Sequence, residues 1–142
     1  MLSRSPEERH LIRDETGTQR LIGYVVDISQ PPHGLCWLDV GPQHLNRHDV
    51  LHGGIATCLL DSACGTTGSL AVDPAGKAPF LTVSLTTQFV GPGRAGRVTA
   101  RGTITGAGRS LYYIAGDLRH EDGTLIATST GVFKRVRQEA SA

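Results

Sequence analysis

The sequence has almost no excess of either charge. Its 14 Lys and Arg residues stand against 13 Asp and Glu residues, which leaves a formal net charge of +1 at pH 7 over 142 residues. A protein that binds nucleic acid or a membrane surface through charge usually has a broad basic face. We therefore predict that neither is a partner. A small anionic ligand held by two or three basic residues is compatible with this balance.

Long apolar runs are also missing. No stretch of about 18 apolar residues occurs, so we expect no membrane-spanning helix. Residues 4–10 are rich in charged side chains where a secretory signal has its apolar segment, so export is not expected either.

Cysteine is scarce. The chain has three, Cys36, Cys58 and Cys64, and no Cys-x-x-Cys pair. An odd count without that spacing argues against a disulfide framework and against a zinc site, whereas buried free thiols are ordinary in a reducing compartment. We therefore predict a cytoplasmic protein that holds neither a metal nor a cofactor.

The chain does have enough apolar sequence to form one domain. Hydrophobic residues make up 39% and charged residues 19%, which excludes a disordered chain. We divide the sequence into an N-terminal arm with a short helix at 1–19, a single domain at 20–138 and a C-terminal tail at 139–142.

Proline and glycine turns separate the helical from the strand-like segments. Ser5-Pro6 predicts a short helix over 6–15, and a long helix is predicted over 53–72, where Asp73-Pro74 ends it. The strand-like segments are 20–29, 35–40, 80–90, 96–105, 109–120 and 124–136. This order predicts an α+β fold in which an antiparallel sheet wraps around one long helix.

The long predicted helix has two unlike faces. One is apolar and consists of Ile55, Leu59, Ala63, Thr66 and Leu70. The other has small residues around one carboxylate, namely Gly54, Thr57, Cys58, Asp61, Gly65 and Gly68. A surface helix would carry Lys, Glu or Gln there, so another helix, a partner subunit or a ligand is expected to pack on this face. Asp61 is then either a working carboxylate or a structural one that binds backbone amides or a basic neighbour.

The start of the same helix is a second candidate site. His52-Gly53-Gly54 leaves the first backbone N–H groups uncovered, and the helix dipole adds partial positive charge that suits an oxyanion. The alternative is a glycine pair that only lets the loop turn. Gly53 and Asp61 are eight residues apart, about 12 Å along a helix, which is too far to act on one carbonyl group. If the two cooperate they must come from two chains, which predicts a homodimer with shared sites.

Three motifs together resemble a known family. They are Asn46-x5-His52-Gly53-Gly54-x6-Asp61, the segment from Leu81 to Pro92, and the turn Gly108-Arg109-Ser110-Leu111. The resemblance is to hotdog-fold thioesterases of the PaaI-like, phenylacetate-degradation type, and it extends over residues 35–136.

This resemblance implies a hotdog fold, in which a six-stranded antiparallel sheet wraps around one long helix, and homodimers that pair into a dimer of dimers. It implies hydrolysis of an acyl-CoA thioester with a small aryl or medium-chain acyl group. It assigns the oxyanion donor to Gly53, the positioning of water or of the site loop to Asn46, and the general base or nucleophile to Asp61 of the other subunit. Thr82, with Ser84 as the alternative, matches the family's hydroxyl beside the carboxylate.

The resemblance also implies contacts with coenzyme A. Four arginines lie in turns or at strand ends, where basic side chains can meet phosphates, namely Arg94, Arg97, Arg109 and Arg135. Arg109 is the best candidate among them, and we assign Ser110 and Gly54 to coenzyme A binding with it.

Several alternatives stay open. His52 is either a catalytic base or, as we favour, a hydrogen-bonding residue at the loop–helix junction. Asp49, preceded by His48, stands where the family often has glycine. No Gly-x-Ser-x-Gly motif supports a Ser-His-Asp mechanism. A non-catalytic acyl-CoA-binding module is the second hypothesis, and an enoyl-CoA hydratase that uses His52 and Asp61 is the third.

Overall fold

One antiparallel sheet packs against a long helix in the computed structural model, which describes residues 5 and 8–137. The strands are β1 (Leu11–Ile12), β2 (Val25–Gln30), β3 (His33–Val40), β4 (Phe80–Phe89), β5 (Gly96–Ala107), β6 (Leu111–His120) and β7 (Leu125–Arg135). The α-helices are α1 (Gly17–Ile22) and α2 (Gly53–Val72), and a short 3-10 helix lies at Pro42–His44. The strands form one sheet in the order β1-β2-β3-β5-β6-β7-β4, which agrees with the predicted α+β architecture.

The N-terminal segment differs from the prediction. The helix over 6–15 is wrong in the described residues, because 8–10 form a turn and β1 pairs with β2. Pro6 and the predicted tail 139–142 lie outside the described residues. The short helix forms instead at α1, where the Thr16 hydroxyl accepts from the Gln19 N–H. The strand expected from residue 20 consequently begins only at β2, and β1 raises the expected six strands to seven.

The later elements follow the prediction. The helix over 53–72 is confirmed at both ends, and each of the five remaining strands is confirmed to within two residues. Turn residues mark these boundaries clearly. In the N-terminal segment, Gly17 and Gly23 lie at the two ends of α1, but the helix-start pattern at Ser5-Pro6 points to a different segment.

α2 approaches the sheet closely because small residues face each other. A Cβ added to Gly34 of β3 would lie 2.7 Å from the Thr67 backbone nitrogen, and one on Gly116 of β6 would lie 3.1 Å from the Cys64 sulfur. Glycine at these strand positions therefore lets the helix backbone pack against the strands.

The same small residues explain an error in the predicted helix faces. Thr66 and Leu70, assigned to the apolar face, are only partly buried. Gly68 was assigned to the face of small residues around Asp61, which we call the open face. It is buried, and a Cβ on it would lie 3.1–3.2 Å from the side chains of Phe80 and Ile114. Because small residues occupy the buried as well as the open face, hydropathy alone does not mark the border between them.

The expectation that no helix could span a membrane was too strict. By length and composition alone, α2 is long and apolar enough to do so. It is also the helix around which the sheet of this fold is built, and helices at the centre of a domain meet the same criterion.

Strand β4 lies at one edge of the sheet and carries a bulge. The register against β7 shifts between Thr82 and Ser84, so the two side chains point to opposite sides of the sheet rather than to the same side. Leu81, Val83 and Phe89 on this strand are 61%, 58% and 60% exposed. A long edge with exposed apolar side chains is unusual in a monomer, because it offers unpaired backbone groups to another strand.

Candidate functional site

The first turn of α2 has one free backbone donor. The His52 carbonyl accepts from the N–H groups of Ile55 and Ala56, and the His52 imidazole Nδ1 accepts from the Gly54 N–H at 2.9 Å. Of the amides at 53–56, only that of Gly53 has no hydrogen-bond acceptor among the described residues. The helix dipole adds partial positive charge at this position, so the Gly53 N–H is a ready donor to a carbonyl oxygen or an oxyanion.

His52 is therefore the N-cap of α2. Its Nδ1 accepts a hydrogen bond from the Gly54 N–H. The Gly54 amide is therefore not a free donor, although the glycine pair predicted that it would be. The first turn therefore offers one free N–H group, that of Gly53, rather than two.

The loop before α2 is held by Asn46. The Asn46 side-chain oxygen accepts from the His48 N–H at 2.8 Å and from the Val50 N–H at 3.3 Å. Asp49 in the same loop has φ 59°, a left-handed conformation that asparagine, aspartate and glycine tolerate best. This backbone requirement accounts for Asp49 at a position where the family often has glycine.

Asp61 lies in the middle of α2 and faces the start of β4. The Thr82 hydroxyl donates to its Oδ1 at 2.6 Å, while Oδ2 accepts no hydrogen bond from the described residues. Ser84, the alternative hydroxyl, lies on the other side of the sheet with Thr86 and Tyr113. The bulge in β4 thus decides which hydroxyl reaches the carboxylate.

A groove runs along α2 from Asp61 toward the C-terminal end of the helix. We call it the α2 groove, and its volume is about 610 Å³. Its floor is formed by successive turns of the helix at Asp61, Gly65 and Ser69. The start of β4 forms one wall, and the N-terminal segment around Tyr24 forms the other.

Burial raises the pKa values of two groups beside this site. Desolvation raises the pKa of the Tyr24 hydroxyl, and a hydrogen bond with Ser62 opposes that shift. Burial likewise raises the pKa of the Cys58 thiol, and the negative charge of Asp61 adds to the shift. Both groups are therefore neutral near pH 7, and Asp61 is the acidic side chain of α2 that faces the groove.

The basic residues predicted for coenzyme A separate into different places. Arg97 is bound by Asp39 through two contacts of 2.8 and 3.0 Å and lies 3.7 Å above the Trp37 ring. Arg109 is exposed in the β5–β6 turn, where the neighbouring Ser110 carbonyl accepts from the Arg135 N–H. The structure thus brings 109, 110 and 135 together, at the opposite end of α2 from Gly54.

Sequence reasoning missed several groups at this site. Lys77 and Arg137 line a second cavity with Arg135, and no spacing motif in the sequence marked them. His44 is buried, accepts from the Gly41 N–H through Nδ1 and donates to the Ile22 carbonyl through Nε2, which ties α1 to the site loop. No group of three His, Cys, Asp or Glu side chains that could hold a metal ion occurs within the described part of the chain.

Comparisons with known proteins agree on one family. The model of the thioesterase superfamily matches residues 48–127. Acyl-coenzyme A thioesterase 13 of Mus musculus is 31% identical over 114 residues, which cover 78% of this chain and 79% of that protein.

Solved structures agree with this fold. A Bacillus halodurans protein solved with CoA has a TM-score of 0.79 at 24% identity, over 90% of this chain and 83% of that chain. The E. coli PaaI protein from the phenylacetic acid degradation operon has a TM-score of 0.72 at 20% identity, over 87% of each chain. The hotdog fold expected from the sequence is confirmed, with seven strands instead of six.

Proposed function

Because the chain belongs to the thioesterase superfamily, and is a thioester hydrolase of the PaaI-like hotdog type, we propose that it hydrolyses acyl-CoA thioesters at a site shared between two subunits. The observation that supports this most directly is the free Gly53 N–H together with the Asp61 carboxylate on the same helix, eight residues further on. The first is an oxyanion donor and the second a base or nucleophile, which are the two groups that thioester hydrolysis needs.

The spacing along α2 requires a second subunit. Gly53 and Asp61 belong to one uninterrupted helix, so about 12 Å along the axis separates their backbones. A thioester carbon at hydrogen-bond distance from one of these groups is out of reach of the other. Each site therefore takes its donor from one protomer and its carboxylate from the partner.

The edge strand supports the way in which the two protomers meet. A Cβ on Gly53 would lie 3.2 Å from the Phe89 ring, whereas Thr82 near the other end of β4 binds Asp61. Strand β4 thus passes both halves of the site. If two β4 edges pair antiparallel around a two-fold axis, the Phe89 end of one protomer comes beside the Thr82 end of its partner. This pairing also satisfies the unpaired backbone N–H and C=O groups along the edge of β4.

The chemistry then follows from the contacts. The Gly53 N–H donates to the thioester carbonyl oxygen and stabilises the negative charge that develops there. The partner's Asp61, oriented through Oδ1 by the Thr82 hydroxyl, uses Oδ2 either to take a proton from the attacking water or to attack the carbonyl carbon itself. In either route the carbon–sulfur bond breaks, and the thiolate of coenzyme A leaves and takes up a proton. With water as the nucleophile the acyl group is released as the free acid, whereas direct attack leaves it on Asp61 as a mixed anhydride, which water then hydrolyses to the acid and free Asp61.

The test of this function is thiol release from a panel of acyl-CoA substrates, with aryl-acetyl, hydroxybenzoyl and medium-chain acyl groups. We expect turnover with at least one of them. Binding without turnover supports the non-catalytic module instead, and hydration of an enoyl-CoA without free thiol supports the hydratase.

Subunit complementation tests the shared site separately. Asp61→Asn and Gly53→Pro each remove one half, and both homodimers are expected to be nearly inactive. Mixed dimers formed by co-refolding have one site with both lesions and one intact site, so about a quarter of the wild-type activity should return if the subunits mix at random. No recovery in mixed dimers, with mixing verified by mass spectrometry, would contradict the shared site.

A further inference from the structure

His44 is a buried histidine whose two ring nitrogens hold two separate segments of the chain. Only 3% of its surface is exposed. Its Nδ1 accepts from the Gly41 N–H at 2.9 Å, and its Nε2 donates to the Ile22 carbonyl at 2.7 Å. A backbone N–H can only donate and a carbonyl can only accept, so the ring is neutral with its hydrogen on Nε2. Neither the other tautomer nor the imidazolium could form both bonds.

The Nδ1 contact fixes the base of the loop that precedes the oxyanion donor. The His44 N–H also donates to the Gly41 carbonyl at 3.0 Å, so the two residues are joined twice. The His44 carbonyl in turn accepts from the His52 N–H at 2.8 Å. His52 is the N-cap of α2, and the next N–H along the chain is that of Gly53. One hydrogen bond and one residue therefore connect His44 to the Gly53 donor.

The Nε2 contact fixes one wall of the α2 groove. Ile22 is the last residue of α1, and Tyr24, two residues later, lines the groove beside Asp61 of the same protomer. Gln19 of α1 lines it too, and its side-chain Nε2 donates to the Tyr24 carbonyl at 3.1 Å. Because α1 and Tyr24 are joined in this way, the bond from His44 to Ile22 attaches the whole wall to the loop.

We propose that His44 is a positioning residue for both halves of the catalytic machinery: through Nδ1 it places the Gly53 donor, and through Nε2 it places the groove wall beside Asp61. This inference rests on the proposed function. Because the proposed site is shared between subunits, the two halves held by one His44 belong to different active sites of the dimer. A misplacement of about 1 Å in a catalytic site can lower the rate strongly, so the loss of either contact should be visible in the kinetics.

Asparagine and glutamine separate the two contacts. The asparagine carbonyl oxygen lies about where imidazole Nδ1 does, and the glutamine amide nitrogen lies about where Nε2 does. His44→Asn should therefore keep the contact with Gly41 and lose that with Ile22, whereas His44→Gln should do the reverse. Each variant leaves one backbone group without its partner, so both should lower the Tm by similar amounts. The loss of stability is thus matched, and the kinetics should differ.

The two variants should change different kinetic constants. His44→Gln frees the loop and should lower kcat about threefold to tenfold with little change in KM, because the oxyanion donor acts in the transition state. His44→Asn frees α1 and should raise KM by a similar factor with little change in kcat, because the wall contacts bound substrate. The same kinetic pattern in both variants would indicate a purely structural histidine and overturn the inference, and so would wild-type constants in both.

His33→Gln is the control variant. His33 is a half-buried histidine at the start of β3, and its Nδ1 contacts the Gly102 carbonyl at 2.9 Å. The neighbouring Gly34 packs against Thr67, which lies fourteen residues after Gly53 and so about 21 Å further along α2. This variant should keep the wild-type kcat and KM. A loss as large as that in the His44 variants would show that the kinetics respond to any such histidine, and the inference would then be wrong.

Mixed dimers place each contact in a chosen subunit. The one intact site of the Asp61→Asn and Gly53→Pro mixture takes Gly53 from the first subunit and Asp61 from the second. His44→Gln should lower kcat only when the Asp61→Asn subunit carries it. His44→Asn should raise KM only when the Gly53→Pro subunit carries it. Effects that do not depend on the choice of subunit would contradict the assignment of the two contacts to different sites.

Hydrogen exchange keeps this inference separate from the proposed function, because it needs no substrate. Measured by mass spectrometry, His44→Gln should exchange faster than the wild type in peptides from 44–56 and unchanged in peptides from 17–24, and His44→Asn should show the reverse. Faster exchange of both segments in both variants, or of neither, would show that the two contacts are not separable, and the inference would fail. If the expected pattern is found but the wild type hydrolyses no thioester, the proposed function fails and the placement of both segments by His44 stands.

Discussion

The first turn of α2 and its open face differ in how far their polar groups are already satisfied. At the first turn, His52 takes up the amides of 54–56 and leaves the Gly53 N–H alone, in front of a loop that Asn46 holds with two hydrogen bonds. On the open face, Asp61 has one internal donor, and Gly65 has no neighbour within 4 Å of its Cβ position. The first region therefore holds one free N–H donor in a fixed position, whereas the second leaves Asp61 with a single internal hydrogen bond on an open part of the helix. Neither region is a complete catalytic site, and the comparison therefore predicts different consequences when each is changed.

The largest effect is expected on the open face. Asp61→Asn keeps the shape of the side chain and its ability to accept from Thr82, but removes the charge needed for a base or a nucleophile. We expect kcat to fall about 10²–10⁴-fold, with an unchanged Tm and dimer mass. Steady-state thiol release, thermal unfolding and light scattering measure the three quantities. Near-normal turnover in this variant would show that another group is the base.

The next effect is expected at the first turn. Gly53→Pro deletes the free N–H at a helix position where proline is tolerated. Loss of one good oxyanion donor costs about 2.7–4 kcal/mol, so kcat should fall about 10²–10³-fold while coenzyme A binding changes little. Gly53→Ala is the matched control, because it keeps the amide and brings a Cβ only to 3.2 Å from the exposed Phe89 ring. Equal losses of turnover and of coenzyme A binding in the proline variant would indicate a folding defect.

Most of the fold could be predicted from the sequence, because proline and glycine turns mark the ends of the helix and strands in its later part. Pro79, Gly91-Pro92 and Gly106-Ala107-Gly108 lie at or beside strand ends in the structure, and Asp73-Pro74 ends α2. The prediction is wrong in the N-terminal part. The capping pattern at Ser5-Pro6 indicates a helix that starts there, whereas the short helix forms at α1. There Gln19 is buried and donates from Nε2 to the carbonyls of Ile12 and Tyr24, a pairing that no local propensity reveals.

The site was predictable only as far as local spacing reaches. The free Gly53 amide and the position of Asp61 follow from helix periodicity. The choice of Thr82 over Ser84 depends on a bulge at Val83, and the α2 groove is formed by segments that are distant in the sequence. A bulge shifts every later side chain to the other side of the sheet, so a one-residue irregularity escapes any reading based on strict alternation.

A smaller effect is expected from the contact that joins β4 to the open face. Thr82→Val keeps the branched shape but removes the hydroxyl that donates to Asp61 Oδ1 at 2.6 Å. Because the pair is partly exposed to solvent, we expect a loss of about tenfold in kcat rather than the full effect of a buried charged hydrogen bond. Thr82→Ser should restore most of the activity. Ser84→Ala, on the opposite side of the sheet, should have no effect, and an equal loss there would point to disruption of the strand.

The smallest effect is expected on the reactivity of Cys58, which depends on the charge of Asp61 and can be measured without any substrate. Burial and then the negative charge of Asp61 raise the pKa of the partly buried Cys58 thiol. Asp61→Asn removes that charge, so the pKa of Cys58 should fall and more thiolate should be present at pH 8. We expect alkylation of Cys58 by iodoacetamide to become a few-fold faster, measured by mass spectrometry of the modified peptide. Cys36 and Cys64 are buried and should stay unmodified in both proteins, which shows that the fold has not opened. Thr82→Val keeps the charge and should leave the Cys58 rate unchanged. A faster rate in both variants would therefore indicate local opening beside β4 rather than a carboxylate charge on the open face.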